Sequence, residues 1–121
     1  MKLHLEKSSQ NQIKAYDDQS ITINETVYTE SLVVMPEYLS KWNVTNFDTL
    51  TIDHFQRLIA LRAEIVLLGT GQQQRFPETA LIAPLIEHQI GLEVMDKFAA
   101  CRTYNILMAE GRNVAAALII D

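Results

Sequence analysis

From Ile13 to Met35 the chain shows the residue pattern of β-strands. Ser20 to Ile23 alternates polar with apolar residues, and Thr26 to Thr29 is rich in β-branched and aromatic side chains. Asn24-Glu25 between them predicts a tight turn. Leu32 to Met35 is a continuous apolar run that stops at a proline, as a buried strand would. The pattern predicts an antiparallel N-terminal β layer.

The segment from Glu37 to Leu50 shows neither helical nor strand periodicity, and we expect a long loop that follows the surface. Thr51 after it is expected to cap a helix, because apolar side chains then recur at intervals of three and four residues. These positions are Ile52, Phe55, Leu58, Ile59 and the aliphatic part of Arg62.

Three apolar strands alternate with two helices in the C-terminal half. The predicted order is a strand at Ile65 to Leu68, a helix near Thr79 to Gln89, a strand at Leu92 to Met95, a helix near Lys97 to Glu110 and a strand at Val114 to Ile120. Strands whose residues are apolar throughout, without polar–apolar alternation, are usually buried on both faces of the sheet. The strand-helix-strand order favours parallel strands joined by helical crossovers. We therefore predict a βαβαβ half with helices packed on the sheet.

Glycine and proline refine the helix boundaries. Gly91 and Gly111 each stand where a helix is expected to end in a left-handed cap. Pro84 disfavours the interior of a helix, so the helix near Thr79 could start as late as Ala83. The fold class is then α/β: residues 1–121 form one compact domain, in which an N-terminal antiparallel β layer joins a mixed sheet.

The composition of the chain limits the kind of partner that it could bind and the compartment in which it is expected. The chain has 121 residues with 10 basic and 15 acidic side chains, a formal net charge of -5, which disfavours nucleic acid as a partner. The opening MKLHLEKSS lacks the apolar core of a secretory signal, and no apolar run reaches the roughly 20 residues of a membrane-spanning helix. Cys101 is the single cysteine, which fits a reducing compartment. We expect a cytoplasmic protein without direct membrane insertion.

A glycine turn follows the first strand of the C-terminal half. Gly69-Thr70-Gly71 resembles the start of a dinucleotide-binding fingerprint, and Asp96 ends the next strand, where an acidic residue can meet a ribose. Gln74 occupies the place of the third glycine, however, and the next helix starts only after a loop. A tight strand-exit turn is therefore favoured over a nucleotide site.

Three further polar residues extend the candidate site. Arg75 with the glycine turn could hold a small anion, or it could be a solvated side chain. Asp96 is expected to cap the helix after it. Arg102 and Asn105 form a narrow polar stripe on a largely apolar helix, and either internal hydrogen bonds or a ligand or partner could satisfy them.

The sequence provides no convincing catalytic or metal-binding group. Cys101 follows Ala99 and Ala100, and this setting favours a small core residue over a nucleophile. The three histidines are isolated from one another, and no metal-ligand spacing is present. We predict no cofactor, no metal and, on balance, no enzymatic activity.

Several segments together resemble a known family. They are LLGTG at Leu67 to Gly71, RFP at Arg75 to Pro77, GLEVMD at Gly91 to Asp96 and AACRTYNILMAEGRNVAAALI at Ala99 to Ile119. The chain resembles the Mth-like domain-of-unknown-function family, bacterial relatives of the mitochondrial complex I assembly factor NADH dehydrogenase alpha subcomplex assembly factor 3. The resemblance covers nearly the whole chain. Lys97 and Phe98 depart from it, because members typically carry threonine and a small residue there, and the Phe98 ring could fill a pocket.

The resemblance implies a compact α/β domain and a non-catalytic assembly or interaction protein. Its expected partner is a protein of respiratory or membrane-associated assembly machinery, and a homo-oligomer is also open. We expect the contact surface at the edge formed by Gly69, Gly71, Arg75, Asp96, Arg102 and Asn105. The alternative is a small-molecule or anion-binding protein or enzyme that uses the same edge.

Overall fold

The computed structural model describes residues 10–121 as two sheets and three α-helices. Our interpretation of the opening segment therefore falls outside the described residues. The strands are β1 (Ile13–Tyr16), β2 (Ile21–Ile23), β3 (Thr26–Tyr28), β4 (Leu32–Met35), β5 (Tyr38–Lys41), β6 (Ile65–Gly69), β7 (Gly91–Met95) and β8 (Val114–Leu118). The helices are α1 (Ile52–Ile59), α2 (Thr79–Glu87) and α3 (Lys97–Ala109), and a 3-10 helix spans Phe47–Thr49.

The larger sheet has five strands in the order β5-β4-β8-β6-β7. Strand β6 pairs in parallel with both β7 and β8, as expected for two successive crossovers. Strand β4 pairs antiparallel with β5 and with β8. The predicted mixed sheet with a parallel βαβαβ half is therefore confirmed.

The smaller sheet consists of β1, β2 and β3, all antiparallel. Asn24 lies in the predicted turn between β2 and β3 with a left-handed φ of 54°, a conformation that asparagine tolerates well. Helix α3 contacts β1 of this sheet and β6 and β8 of the larger one. The predicted N-terminal β layer is confirmed, and α3 lies between the two sheets.

The alternation of side chains along the central strands produces two cores. Leu67 and Ala116 face α3 and the smaller sheet, whereas their neighbours Val66 and Ala117 face the opposite side of the larger sheet. Phe55 and other side chains of α1 and α2 cover that opposite side. Because β6 and β8 are covered on both faces, their sequences are apolar without alternation.

Helix α3 has an apolar side, and this side belongs to the core. Ala100, Cys101, Tyr104 and Met108 are buried against the two sheets. The Tyr104 hydroxyl donates to the backbone carbonyl of Asn11 at 2.8 Å, which satisfies its polar atom. Core packing therefore accounts for this side of the helix without a second copy of the chain.

The prediction of a long loop from Glu37 to Leu50 was wrong. Strand β5 and the 3-10 helix lie within this segment. Strand β5 was missed because it lies at the edge of the sheet, with one neighbouring strand among residues 10–121, and its residues are half-buried or exposed. Trp42 directly follows it and is 6% exposed, so the segment contributes an aromatic side chain to the core.

Helix boundaries departed from the prediction in two places, and the later start left open for α2 did not occur. Helix α1 ends at Ile59, before Arg62, whose φ is 57°. Gln89, with φ of 59°, takes the left-handed position that we assigned to Gly91, whereas Gly111 does have the predicted positive φ of 81°. Helix α2 begins at Thr79 rather than at Ala83 and continues through proline at the cost of one backbone donor.

Candidate functional site

The candidate edge begins with the turn after β6. A Cβ atom on Gly69 would lie 3.0 Å from Leu118 Cδ2 and 3.2 Å from Lys97 Cα, so a larger residue would fit only if β8 or α3 shifted. Gly71 has a φ of 98°, which L-residues rarely adopt. The two glycines are therefore explained by packing and by backbone conformation.

Several backbone groups of this turn have partners inside the fold. The Gly71 carbonyl accepts from the Lys97 N–H at 2.7 Å, and the Thr70 N–H donates to the Met95 carbonyl at 2.9 Å. The Thr70 hydroxyl donates to the Gln73 carbonyl at 2.6 Å. These bonds fix the turn against the start of α3, as a strand-exit turn requires.

Asp96 caps α3, as the sequence indicates. Its side chain accepts from the Ala99 N–H at 2.8 Å, and its backbone is extended, as an N-cap residue requires. The Asp121 carboxylate lies on the other side of the turn, where its oxygens would be 3.3 Å from a Cβ on Gly71. Two carboxylates therefore flank the turn, which disfavours binding of an anion there.

Arg75 has two partners within the chain. Its Nη2 donates to Asp48 Oδ1 at 2.7 Å, and its guanidinium carbon lies 4.3 Å from the centre of the Phe47 ring. The loop after β6 is thereby attached to the 3-10 helix. The side chain is still about half exposed, so its outer surface remains accessible.

Arg102 and Asn105 differ although they share one stripe of α3. Asn105 Oδ1 accepts from the Ile13 N–H at 3.0 Å and Nδ2 donates to the Ile13 carbonyl at 2.8 Å. The amide thus pairs with β1 as a neighbouring strand would. Arg102 is exposed, and its Nη1 is 3.4 Å from the Tyr16 hydroxyl. Internal bonding therefore explains Asn105, whereas Arg102 is accessible.

The burial of Lys97 is a feature that the sequence analysis did not predict. The residue has no exposed surface, and its Nζ donates to the Asp18 carbonyl at 2.7 Å. Phe98 beside it packs against the Tyr16 ring at a centroid distance of 5.7 Å. Lys97 and Phe98 therefore attach the smaller sheet to the first turn of α3. A lysine at the start of a largely apolar helix was the available signal.

Burial lowers the pKa of Lys97 from its ordinary value of 10.5, although Cys101 and nearby aspartates oppose the shift. Between the lowered pKa and 10.5, the unfolded chain binds a proton that the folded chain does not. The contribution of Lys97 to the free energy of unfolding therefore rises with pH in this window. We predict that the wild type gains stability relative to Lys97→Met as pH increases towards 10.5.

Urea unfolding of both proteins at several alkaline pH values measures this difference. Cys101 ionises in both unfolded chains, so its contribution cancels in the comparison. Parallel pH profiles for the two proteins would show that the buried amine does not titrate differently in the folded state.

Cys101 is unsuited to nucleophilic chemistry. The side chain is fully buried, and burial raises the pKa of its thiol to about 12. The thiolate is the reactive form, and its fraction at neutral pH is therefore very small. The described residues 10–121 contain no group of three or more metal-ligating side chains.

The fold and this edge define a small two-sheet α/β domain whose glycine turn, helix cap and cross-sheet amide are explained by internal contacts. Its sequence matches a family model over residues 13–119. The chain belongs to the family described as protein of unknown function (DUF498/DUF598).

Curated relatives add named functions. The chain is 32% identical over 109 residues to the human protein named NADH dehydrogenase [ubiquinone] 1 alpha subcomplex assembly factor 3, covering 88% of this chain and 59% of that protein. It is 28% identical to the 13 kDa major membrane protein of Francisella tularensis, with 88% of each chain covered. The chain thus spans about three fifths of the human relative's length.

Solved structures share the fold. A crystal structure of a Bordetella parapertussis protein matches with a TM-score of 0.88 and 36% identity, covering 93% of this chain and 98% of that one. A Bordetella pertussis protein described as a Mth938-like domain matches with a TM-score of 0.83 and 30% identity, covering 94% and 88%. The resemblance to the Mth-like family is confirmed.

Within residues 10–121, no helix is long and apolar enough to span a membrane. The Francisella relative is nevertheless named a major membrane protein.

Proposed function

We propose that this chain is a non-catalytic assembly protein that binds a subunit or a second assembly factor of a respiratory complex. The proposal rests on the match to the human assembly factor 3, which is 32% identical to this chain over 109 residues, or 88% of its length. The buried, protonated Cys101 thiol is consistent with a role other than nucleophilic catalysis. A cytoplasmic location beside the membrane would bring the chain close to such a partner.

We place the partner contact on the edge predicted from sequence and on the exposed surface next to it. The edge residues are Gly69, Gly71, Arg75, Asp96, Arg102 and Asn105. Arg102 is exposed, and Ile106 lies one helical turn further along α3 with 59% of its surface exposed. Arginine is enriched at protein interfaces, and the exposed Ile106 adds apolar surface beside it.

Affinity purification of tagged variants from the native host tests this surface. We expect Arg102→Ala/Ile106→Ser to recover at least about tenfold less partner than the wild type, because both changes remove exposed contact groups. Arg112→Ala is the matched control, since Arg112 is also an exposed arginine and pairs with Glu64 elsewhere. Circular dichroism establishes that each variant is folded.

Equal recovery of partners by the double variant and by Arg112→Ala would overturn the proposed surface. If the double variant instead loses its fold, these side chains are structural and the surface claim also fails. The alternative function, binding of a small molecule or anion at the same edge, has weaker support because Arg75 and Asn105 already have internal partners.

A further inference from the structure

Among residues 10–121, four strands lie at the ends of the two sheets, and three of them carry features that discourage pairing with another chain. Strand β1 has the Asn105 amide bonded to both backbone groups of Ile13. Strand β7 has Gln74 Nε2 donating to the Val94 carbonyl at 2.9 Å, and strand β5 ends in the charged Lys41. Charges and covered backbone groups are means by which proteins block a sheet edge. These three edges are therefore protected.

Strand β3 is the fourth edge, and it has none of these features in the described part of the chain. Its residues, Thr26–Tyr28, include no charge and no proline, and β2 is its one neighbour among the strands described. The Val27 side chain is 61% exposed, and Thr26 and Thr29 are exposed as well. An exposed apolar side chain on an unprotected edge is typical of a strand that pairs with another chain.

The backbone groups of Val27 point away from β2. A two-residue turn, Asn24-Glu25, joins β2 to β3, and Ile23 pairs with Thr26 at the end of this hairpin. The two residues that close a two-residue turn exchange hydrogen bonds, and bonded pairs then alternate along the ladder. Thr26 and Tyr28 therefore bond to β2, whereas the Val27 N–H and carbonyl are directed to the free side.

We propose that β3 pairs with β3 of a second copy of this chain, antiparallel and about a two-fold axis at Val27. The Val27 residues of the two copies then exchange a pair of N–H···O=C bonds, and the two small sheets join into one continuous sheet. The strand is separate from the Arg102 and Ile106 surface, so this proposal does not rest on the assembly role. A two-fold interface of this kind requires a surface that is complementary to itself.

The side chains of β3 meet that requirement. Each Val27 lies beside the Val27 of the other copy, where both apolar side chains are withdrawn from water. Thr26 of one copy is opposite Tyr28 of the other, and β-branched and aromatic pairs of this type stabilise antiparallel strands. Glu25 is opposite Thr29, so the pairing sets no like charges opposite each other in a chain of net charge -5. This match of the strand to itself favours a second copy over an unrelated strand.

Association of the purified wild-type chain is the first measurement. Two short strands cover much less than the roughly 800 Å² per partner of a standard interface, so we expect a weak dimer. In sedimentation equilibrium, the dimer fraction is expected to rise from near zero at about 20 µM to a measurable share at about 1 mM. Over the same range, the Val27 amide resonance of ¹⁵N-labelled protein shifts, whereas the Ile13 amide, which is bonded to Asn105, does not.

Two lysine variants on one face of the small sheet locate the contact. Ala15 on β1 and Val27 on β3 are both exposed, and both pair with Thr22 of β2. Val27→Lys sets two ammonium groups opposite each other in the dimer, so we expect association at least about tenfold weaker. Ala15→Lys adds the same charge two strands away and is expected to change association by less than about twofold. Circular dichroism establishes that each variant is folded.

A chain that stays monomeric at about 1 mM would overturn the proposal, and so would equal effects of the two lysine variants. If Val27→Lys does not fold, the amide resonances of the wild type decide. Concentration-dependent shifts at Ile13 without shifts at Val27 would then show that the copies meet at another surface and that β3 is not the interface.

Discussion

Replacement of Asn105 by alanine is expected to lower the free energy of unfolding by about 2 to 4 kcal/mol. The amide satisfies both backbone groups of Ile13, a residue that is 4% exposed. Removing the side chain leaves a buried donor and a buried acceptor without partners, each of which costs about 1 to 3 kcal/mol. Urea unfolding monitored by circular dichroism measures the change.

Arg102→Ala is the control for this prediction, because Arg102 lies one turn earlier in the same stripe and is exposed. Its 3.4 Å contact with the Tyr16 hydroxyl is long, so we expect a change within about 0.5 kcal/mol. Similar losses in both variants would refute the assignment of Asn105 as the residue that holds β1 on α3.

Replacement of Gly69 by valine is expected to lower the free energy of unfolding by about 3 kcal/mol. Its Cβ alone would lie 3.1 Å from Ala100 Cβ and 3.2 Å from Lys97 Cα, and the two methyl groups add further volume in a buried position. The strand and the helix would have to separate to admit the side chain. Thermal and urea unfolding report the loss.

Gly91→Val provides the matched comparison, because Gly91 is also a glycine of a parallel strand. A Cβ there would meet the Glu64 carbonyl oxygen at 3.5 Å, an ordinary contact, and Gly91 has no positive φ. We therefore expect a change within about 1 kcal/mol. If both valine variants lost the same stability, close packing would not be the reason for glycine at position 69.

Local pattern was sufficient to predict most of the fold. Strands β6, β7 and β8 are short apolar runs separated by helices, and this order dictates parallel pairing almost by itself. Strand β5 was missed because Tyr38 and Lys41 at its two ends are exposed and β4 is its single neighbour in the described part of the chain. An edge strand with exposed ends shows little of the polar–apolar alternation from which strands are predicted.

The roles of the candidate site residues were harder to predict, because their hydrogen-bond partners lie far away in the sequence. Asn105 bonds to a residue 92 positions away, and Arg75 to one 27 positions away. Nothing near either residue indicates these bonds. Asp96, in contrast, caps the helix that it precedes, so its role was correctly expected from local sequence.

The burial of individual polar atoms also cannot be predicted from the sequence. The burial of Lys97 and the indole N–H of Trp42, unpaired among residues 10–121, arise only when separate elements pack together. The sequence marks Lys97 only as a departure from the resemblance and predicts neither its burial nor the unpaired indole, because the same residue types are ordinary at a surface or in a core.

Deletion of the gene for this chain in its own host tests the assembly role most directly. Native gel electrophoresis of the membranes, probed for subunits of the respiratory NADH dehydrogenase complex, measures how much of the complex is fully assembled. We predict a reduced amount of intact complex, accumulation of partial assemblies, and restoration by the wild-type chain but not by Arg102→Ala/Ile106→Ser. An unchanged amount of intact complex after deletion would contradict the account.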